Sequence, residues 1–180
     1  MTSNRKIVVY IAISADGYIA RPDGDFSWLN DPRYKNHYGF EEFEKSIDTV
    51  LWGRKTYEIG MRFGGENLGM GPKIKNYVFS RTLPAKKTGN IEFLNEPANQ
   101  FAKRLRAEPG RGIWMMGGGK IIASFLDAGE IDEFSIHVIP IFIGEGIPLI
   151  DPRHRSIPLN LLSTKAYDDG VVHLNYSVQK

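Results

Sequence analysis

The stretch Ile113-Trp114-Met115-Met116-Gly117-Gly118-Gly119-Lys120 sets three glycines between an apolar run and the start of an amphipathic one. Lacking Cβ atoms, such a segment lets backbone approach a ligand closely, and a helix beginning there aims free amides and its positive dipole end at the same space. That arrangement suits a phosphate, although a tight strand-to-helix turn with no ligand accounts for the glycines equally well. Gly53-Arg54-Lys55-Thr56-Tyr57-Glu58 repeats it after a second apolar run, with two cations and a hydroxyl. The plain alternative is a capped helix with solvated lysine and arginine. In Ser80-Arg81-Thr82 two hydroxyls flank a guanidinium, which suits a phosphate monoester such as the 2′-phosphate that separates NADPH from NADH. Read alone, that segment is a polar loop. Together, three such loops at the ends of buried strands fit a dinucleotide laid across one edge of a sheet.

Other residue types are less telling. His37 could donate a proton, but a surface or capping role at a helix start serves as well. His137 lies within a strand, where a core imidazole is the expected reading, and His154 and His173 lack spaced partners, so no metal is implied. Lys103-Arg104-Leu105-Arg106 interrupts its charge with leucine at helical spacing, which describes a solvated helix face rather than a nucleic-acid groove.

The elements that must position these loops follow from periodicity. Lys6–Ile13 reads as a first buried strand, followed by a loop running to Trp28. Asn36–Ser46 has helical spacing, Thr49–Trp52 is a second strand, and a helix begins at Gly53 or Arg54. The glycine-rich stretch from Gly64 to Pro72 reads as a loop. Asn76–Ser80 and Ile91–Leu94 are further strands, then Pro97–Ala107 a helix with proline in its first turn. Ile113–Met116 is a strand, Lys120–Ala128 a helix closed near Gly129, and Phe134–Ile139 a strand. Leu159–Tyr167 and Val171–Val178 form a hairpin turning at Asp168-Asp169-Gly170. Strands alternating with helices, then a hairpin, imply an α/β fold: a mixed, mainly parallel sheet with helices on both faces.

Composition bounds the rest. At 180 residues and 42% hydrophobic, the chain suits one domain spanning 1–180. A net charge of +2 from 23 basic and 21 acidic residues does not describe a nucleic-acid binder. With no cysteine there is no disulfide or thiolate site, and no apolar run reaches membrane-spanning length, so a soluble cytoplasmic protein is expected.

In order and spacing, the Gly117 to Lys120, Gly53 to Glu58 and Ser80 to Thr82 segments resemble those of dihydrofolate reductases. Ile13-Ser14-Ala15-Asp16-Gly17-Tyr18-Ile19-Ala20 and Ile143-Gly144-Glu145-Gly146-Ile147-Pro148-Leu149 are similar to the C-terminal reductase domain of bifunctional riboflavin-biosynthesis enzymes and its stand-alone relatives. The resemblance covers nearly the whole chain and implies a three-layer dihydrofolate-reductase-like fold that binds NADPH. It places Gly53, Arg54, Lys55 and Thr56, with Gly117, Gly118, Gly119, Lys120 and Ile121, at the pyrophosphate. Ser80, Arg81 and Thr82 would meet the 2′-phosphate, Ala12 and Ile19 would border the nicotinamide, and the loop through Trp28 would cover the hydride-transfer site.

One departure concerns the substrate. Counted back without a gap from Gly53, the helix position that carries the substrate carboxylate in the folate enzymes falls at His37; Asp31 and Glu41 could substitute after a small shift. Asp16 is the better carboxylate candidate for the riboflavin-type subfamily, with a turn role before Gly17 as its alternative. The resemblance therefore implies an NADPH-dependent reductase of a small heterocycle, favouring the ribosylaminopyrimidine of riboflavin synthesis. A pterin or dihydrofolate reductase and a non-catalytic nucleotide-binding or oligomer-forming member of the fold are the rivals. No zinc-ligand cysteines of a deaminase domain are present. A homodimer is expected, because the apolar run Val138-Ile139-Pro140-Ile141-Phe142-Ile143 could present a surface to a second copy or be a core strand.

Overall fold

The computed structural model describes residues 5–34, 36–64 and 71–180. Along the chain run β1 (Ile7–Ser14), β2 (Tyr18–Ala20), a 3-10 turn (Ser27–Asn30), α1 (Phe40–Ser46), β3 (Ile47–Gly53), α2 (Arg54–Gly64) and β4 (Lys75–Phe79). Then come β5 (Lys86–Thr88), β6 (Ile91–Leu94), α3 (Ala98–Ala107), β7 (Gly112–Gly117), α4 (Gly119–Asp127) and β8 (Glu133–Ile139). The chain closes with β9 (Ile147–Pro148), β10 (Leu159–Ala166) and β11 (Val172–Val178). Nine strands form one sheet in the order β10-β11-β8-β1-β7-β3-β4-β6-β5, while β2 and β9 pair separately. β1, β7, β3, β4, β6 and β8 run parallel; β11 is antiparallel to β8, and β5 to β6.

The chain first steps outward from β1 through β3 to β4 and β6, then returns to insert β7 between β1 and β3 and adds β8 on the far side of β1. Right-handed crossovers in opposite directions put their helices on opposite faces. One face carries α3 and α4, whose Phe101, Leu105, Ile122 and Phe125 bury against Ile7 and Met115. The other carries α1 and α2, with Phe40, Phe43 and Tyr57 against Trp52, Val78 and Trp114. Alternation along β1 serves both layers: Ile7 and Val9 are fully buried on the first, and Tyr10 stacks on Phe43 of the second with centroids 4.3 Å apart.

At the opposite end of β1 from its loop, Arg5 is only 2% exposed. It pairs with Asp48 and donates to Thr49 Oγ1 at 2.7 Å, to the Arg111 carbonyl at 2.8 Å and to the Leu105 carbonyl at 3.3 Å. These bonds tie the starts of β1, β3 and β7 and the end of α3 into one knot.

The expected helix over Asn36–Ser46 is shorter. Tyr38 takes φ 48° and Gly39 is left-handed, so helical backbone starts only at Phe40. The Tyr38 hydroxyl donates to Asp169 at 2.6 Å and Asn36 Nδ2 donates to the same carboxylate at 2.8 Å, so this segment is spent on docking to the β10–β11 turn. The apolar run from Val138 stops being strand after Ile139, and Phe142 stands 77% exposed. Of the stretch expected as a loop between Gly64 and Pro72, Gly64 ends α2 and residues 65–70 lie outside the described residues. Among the described residues no helix is long and apolar enough to cross a membrane.

Candidate active site

β3 and β7 are neighbours whose following helices leave to opposite faces, so a crevice opens at their C-terminal ends. This is where open α/β sheets hold ligands. Register lines up Trp52 with Gly117 and Gly53 with Phe79, so Gly117, Gly53 and Ser80 follow one another along that edge, one strand spacing of about 4.8 Å apart. The three loops singled out in the sequence therefore meet.

Their contact is close. A Cβ placed on Gly53 would stand 3.4 Å from the Gly117 carbonyl, and one on Gly118 would stand 3.0 Å from Thr56 Oγ1 and 3.4 Å from Ile19 Cδ1. The starts of α2 and α4 thus converge on one space bordered by Ile19. In α4, Ile121 and Ile122 donate back to the Gly118 carbonyl, whereas the amides of Gly119 and Lys120 precede any acceptor within the helix. Ile121 is itself buried beneath the crevice.

The cationic residues divide. The Arg54 guanidinium is held by Glu58 at 2.7 Å, one turn on, while Lys55 and Lys120 point outward and are exposed. Ser80 is buried, and its Oγ accepts from the amides of Leu83 at 2.9 Å and Thr82 at 3.3 Å, shaping a turn that leaves Arg81 and Thr82 exposed. Among the described residues Arg81 has no acidic partner.

Gly119 has a second reason to be glycine. A Cβ there would lie 2.5 Å from the Pro148 carbonyl, because residues 147–151 cross over it as a strap. The Asp151 amide donates to the Gly119 carbonyl and the Leu149 amide to the Gly17 carbonyl, each at 3.1 Å. The strap so joins the glycine loop to the loop after β1.

Asp16 sits in that first loop with its carboxylate turned to protein donors. It accepts from Ser14 Oγ at 2.5 Å, the Gly144 amide at 2.8 Å and the Ile143 amide at 3.2 Å. The Ser14 hydroxyl foremost, and then the two amides, hold the carboxyl below its usual range. Asp16 is thus an ionised anchor that fastens residues 143–144 beside β1.

Trp28 is 6% exposed and packs with Ile139 and Val171, and with the partly buried Ala12, Tyr34 and Tyr38. Ala12 lies opposite His137 in the β1–β8 register. The sequence treated His137 only as core, and it is indeed 3% exposed. Its Nε2 bonds the Tyr38 carbonyl at 3.2 Å, and burial foremost, with His173 adding, pushes its pKa down to about 4. Trp28 Nε1 and the Tyr34 hydroxyl are buried here with no hydrogen-bond partner among the described residues, an unusual cost for a folded chain. Tyr10, Tyr34 and Tyr38 are contributors the sequence reading missed; the spacing of aromatics before α1 was the available signal. His37 and Glu41 are exposed beside α1, and Asp31 is bound by Arg33 at 2.7 Å.

Comparison with known proteins places this geometry. Residues 5–173 match the family model described as the RibD C-terminal domain. The chain belongs to the RibD C-terminal domain family. The uncharacterized protein YwjB of Bacillus subtilis (strain 168) is 36% identical over 171 residues, covering 93% of this chain and 95% of YwjB. A Shewanella sp. PV-4 protein named for riboflavin biosynthesis superposes with a TM-score of 0.84 at 25% identity, over 97% of this chain and 99% of that one. The dihydrofolate reductase of Enterococcus faecalis, complexed with NADP(H) and RAB-propyl, superposes with a TM-score of 0.66 at 16% identity, over 97% of both chains. The RibD C-terminal domain family thus appears here on a dihydrofolate-reductase-like fold.

Proposed function

We propose that the protein is an NADPH-dependent reductase of a small heterocycle, with a ribosylaminopyrimidine of the riboflavin pathway as the favoured substrate. The observation that carries this reading is the convergence of Gly53, Thr56 and Gly118 at the β3–β7 crevice, where side chains on the glycines would fill the approach. The residues suit the cofactor: glycine backbone, helix-start amides and the Thr56 hydroxyl would hold its pyrophosphate, and the exposed Arg81 between Ser80 and Thr82 its 2′-phosphate. When bound, NADPH supplies a hydride. Ala12 and Ile19 would border the nicotinamide, and Gly17, tied to the 147–151 strap, would hold that border in place.

The chain's remaining task is to seat the substrate and keep water away. Trp28 Nε1 and the Tyr34 hydroxyl, buried and without a partner among the described residues, are donors suited to ring carbonyl or nitrogen acceptors of a pyrimidine. His137, kept neutral by burial, would form part of the floor rather than supply a charge. The rival folate reading is weaker because His37 and Glu41 are exposed and Asp31 is engaged by Arg33. The protein is further proposed to act as a homodimer in the cytoplasm.

The test is titration with NADPH and NADH, followed by quenching of tryptophan fluorescence, then turnover of a ribosylaminopyrimidine and of dihydrofolate. NADPH is expected to bind at least tenfold more tightly than NADH, about 1.4 kcal/mol, and the ribosylaminopyrimidine to be reduced in preference. Absence of binding by either dinucleotide at micromolar concentration would overturn the proposal.

A further inference from the structure

The strap over Gly119 is the middle of a longer segment pinned at each end by a carboxylate. At its start the amides of Ile143 and Gly144 donate to Asp16. Ile147 and Pro148 then pair with Ala20 and Tyr18 of β2, and Leu149 and Ile150 pack against the core cluster that holds Ile122 and Phe125 of α4. At its far end two guanidiniums close on Asp127, the last residue of α4. Arg155 Nε donates to Asp127 Oδ1 at 2.7 Å and its Nη2 to Oδ2 at 3.2 Å, while Arg153 Nη1 donates to Oδ2 at 2.6 Å.

A single exposed ion pair holds little. Asp127 differs, because a two-pronged guanidinium contact fixes direction as well as distance, and a second arginine shares one of its oxygens. The Arg155 bonds foremost keep the Asp127 carboxyl below its usual range, so it is ionised at neutral pH.

From Asp127 a continuous set of hydrogen bonds leads back to the glycine loop. Arg155 Nη1 donates to the Asp151 carbonyl at 2.9 Å, and the Asp151 amide donates to the Gly119 carbonyl at 3.1 Å. Gly119 and Asp127 are the first and last residues of α4, about 12 Å apart along its axis, so the segment ties one end of the helix to the other. What it holds at Gly119 is a peptide unit. The Gly119 carbonyl and the Lys120 amide belong to one planar trans group and point in opposite directions. A donor fastened on that carbonyl therefore sets where the Lys120 N–H points, and this N–H is one of those at the start of α4 that no helical carbonyl takes up.

We propose that Asp127 is a positioning residue for the cofactor site: through Arg155 and Asp151 it orients the Gly119–Lys120 peptide so that the Lys120 amide faces the pyrophosphate of the dinucleotide. The identity of that ligand rests on the reductase reading. Asp127 acts from the exposed far end of the helix, and the strap carries its effect to the site.

The experiment compares the native chain with Asp127→Asn, Arg155→Lys and Asp127→Glu. Amide hydrogen exchange on the unliganded chain reads the strap: the Asp151 amide should exchange about tenfold faster in Asp127→Asn and Arg155→Lys, with the central strands unchanged. Titration reads the site. NADPH should bind about fivefold more weakly to both variants, and adenosine 2′-monophosphate, which has no pyrophosphate, within about twofold of native. In turnover the loss falls on KM for NADPH and spares kcat, and Asp127→Glu, which keeps the charge, recovers most of it. Unchanged exchange at Asp151 in Asp127→Asn overturns the proposal, as does faster exchange with undiminished NADPH affinity. Equal weakening of NADPH and adenosine 2′-monophosphate also overturns it, since that marks general destabilisation. A native chain that binds no NADPH would instead end the reductase reading; the tie from Asp127 to the Gly119–Lys120 peptide is then judged on the exchange rates alone.

Discussion

Thr56 Oγ1 lies 3.0 Å from the position that a Cβ on Gly118 would occupy, so the starts of α2 and α4 are in van der Waals contact through one hydroxyl and one missing side chain. Gly118 has φ −84°, ordinary for any residue, so its φ does not call for glycine, whereas the close approach of Thr56 does. Gly118→Ala should push the two helix starts apart, weakening NADPH binding about tenfold while costing about 1 kcal/mol of stability. Fluorescence titration paired with urea denaturation separates the two effects. Unchanged NADPH affinity in a folded variant would remove the crevice from the cofactor site.

Arg81 is exposed beside a turn that Ser80 shapes by accepting two amides. Arg81→Ala should lower NADPH affinity tenfold or more and leave NADH within about twofold, because only the former carries the 2′-phosphate. Equal losses for the two dinucleotides in parallel titrations would assign Arg81 to a general electrostatic role.

Asp48 neutralises a guanidinium that is almost wholly buried. Removing it in Asp48→Ala leaves Arg5 uncompensated, which should destabilise the protein by about 3 kcal/mol. Chemical denaturation measures this directly, and a change below about 1 kcal/mol would show that water or another group reaches Arg5.

His137 and His173 stack face to face, centroids 4.3 Å apart and planes at 8°. His137 has its pKa depressed to about 4 from 6.5, and His173 is also lowered. Between these values the unfolded chain binds the proton and the folded chain does not, so stability is full above about pH 6.5 and falls as the pH drops toward 4. For His137 the loss is on the order of 3 kcal/mol. Unfolding free energies at pH 7.5 and pH 4.5 check it, and His137→Gln should flatten the difference.

Phe142 is 77% exposed, and Leu161 on the edge strand β10 is 56% exposed. If a second copy covers these groups, the native chain sediments as a dimer, and Phe142→Asp or Leu161→Glu shifts it to monomer. A monomeric native chain in analytical ultracentrifugation would remove the dimer proposal.

The sequence exposed what depends on neighbours in the chain. The long strands, α2, α3, α4 and the terminal hairpin follow from apolar periodicity, and the three phosphate-suited loops from glycine and hydroxyl placement. The two- and three-residue strands β2, β5 and β9 carry too few side chains for any period to show. The late start of α1 depends on Tyr38 reaching Asp169, across the whole middle of the chain. Asp16 was recognisable as a distinctive carboxylate, but its donors Ile143 and Gly144 are brought by a distant loop. Likewise, Gly119 offered no sign that a strap, as well as a ligand, requires its small size.

The central position of β1 has a consequence for how the protein is made. This strand is synthesised before both of its partners, β7, where Ile7 meets Ile113, and β8, where Val8 meets Glu133. A nascent chain therefore carries this apolar strand unpaired until Ile113, 106 residues beyond Ile7, has been made. The fold is governed by non-local closure, which slows folding and leaves a sticky early segment in need of shelter during synthesis.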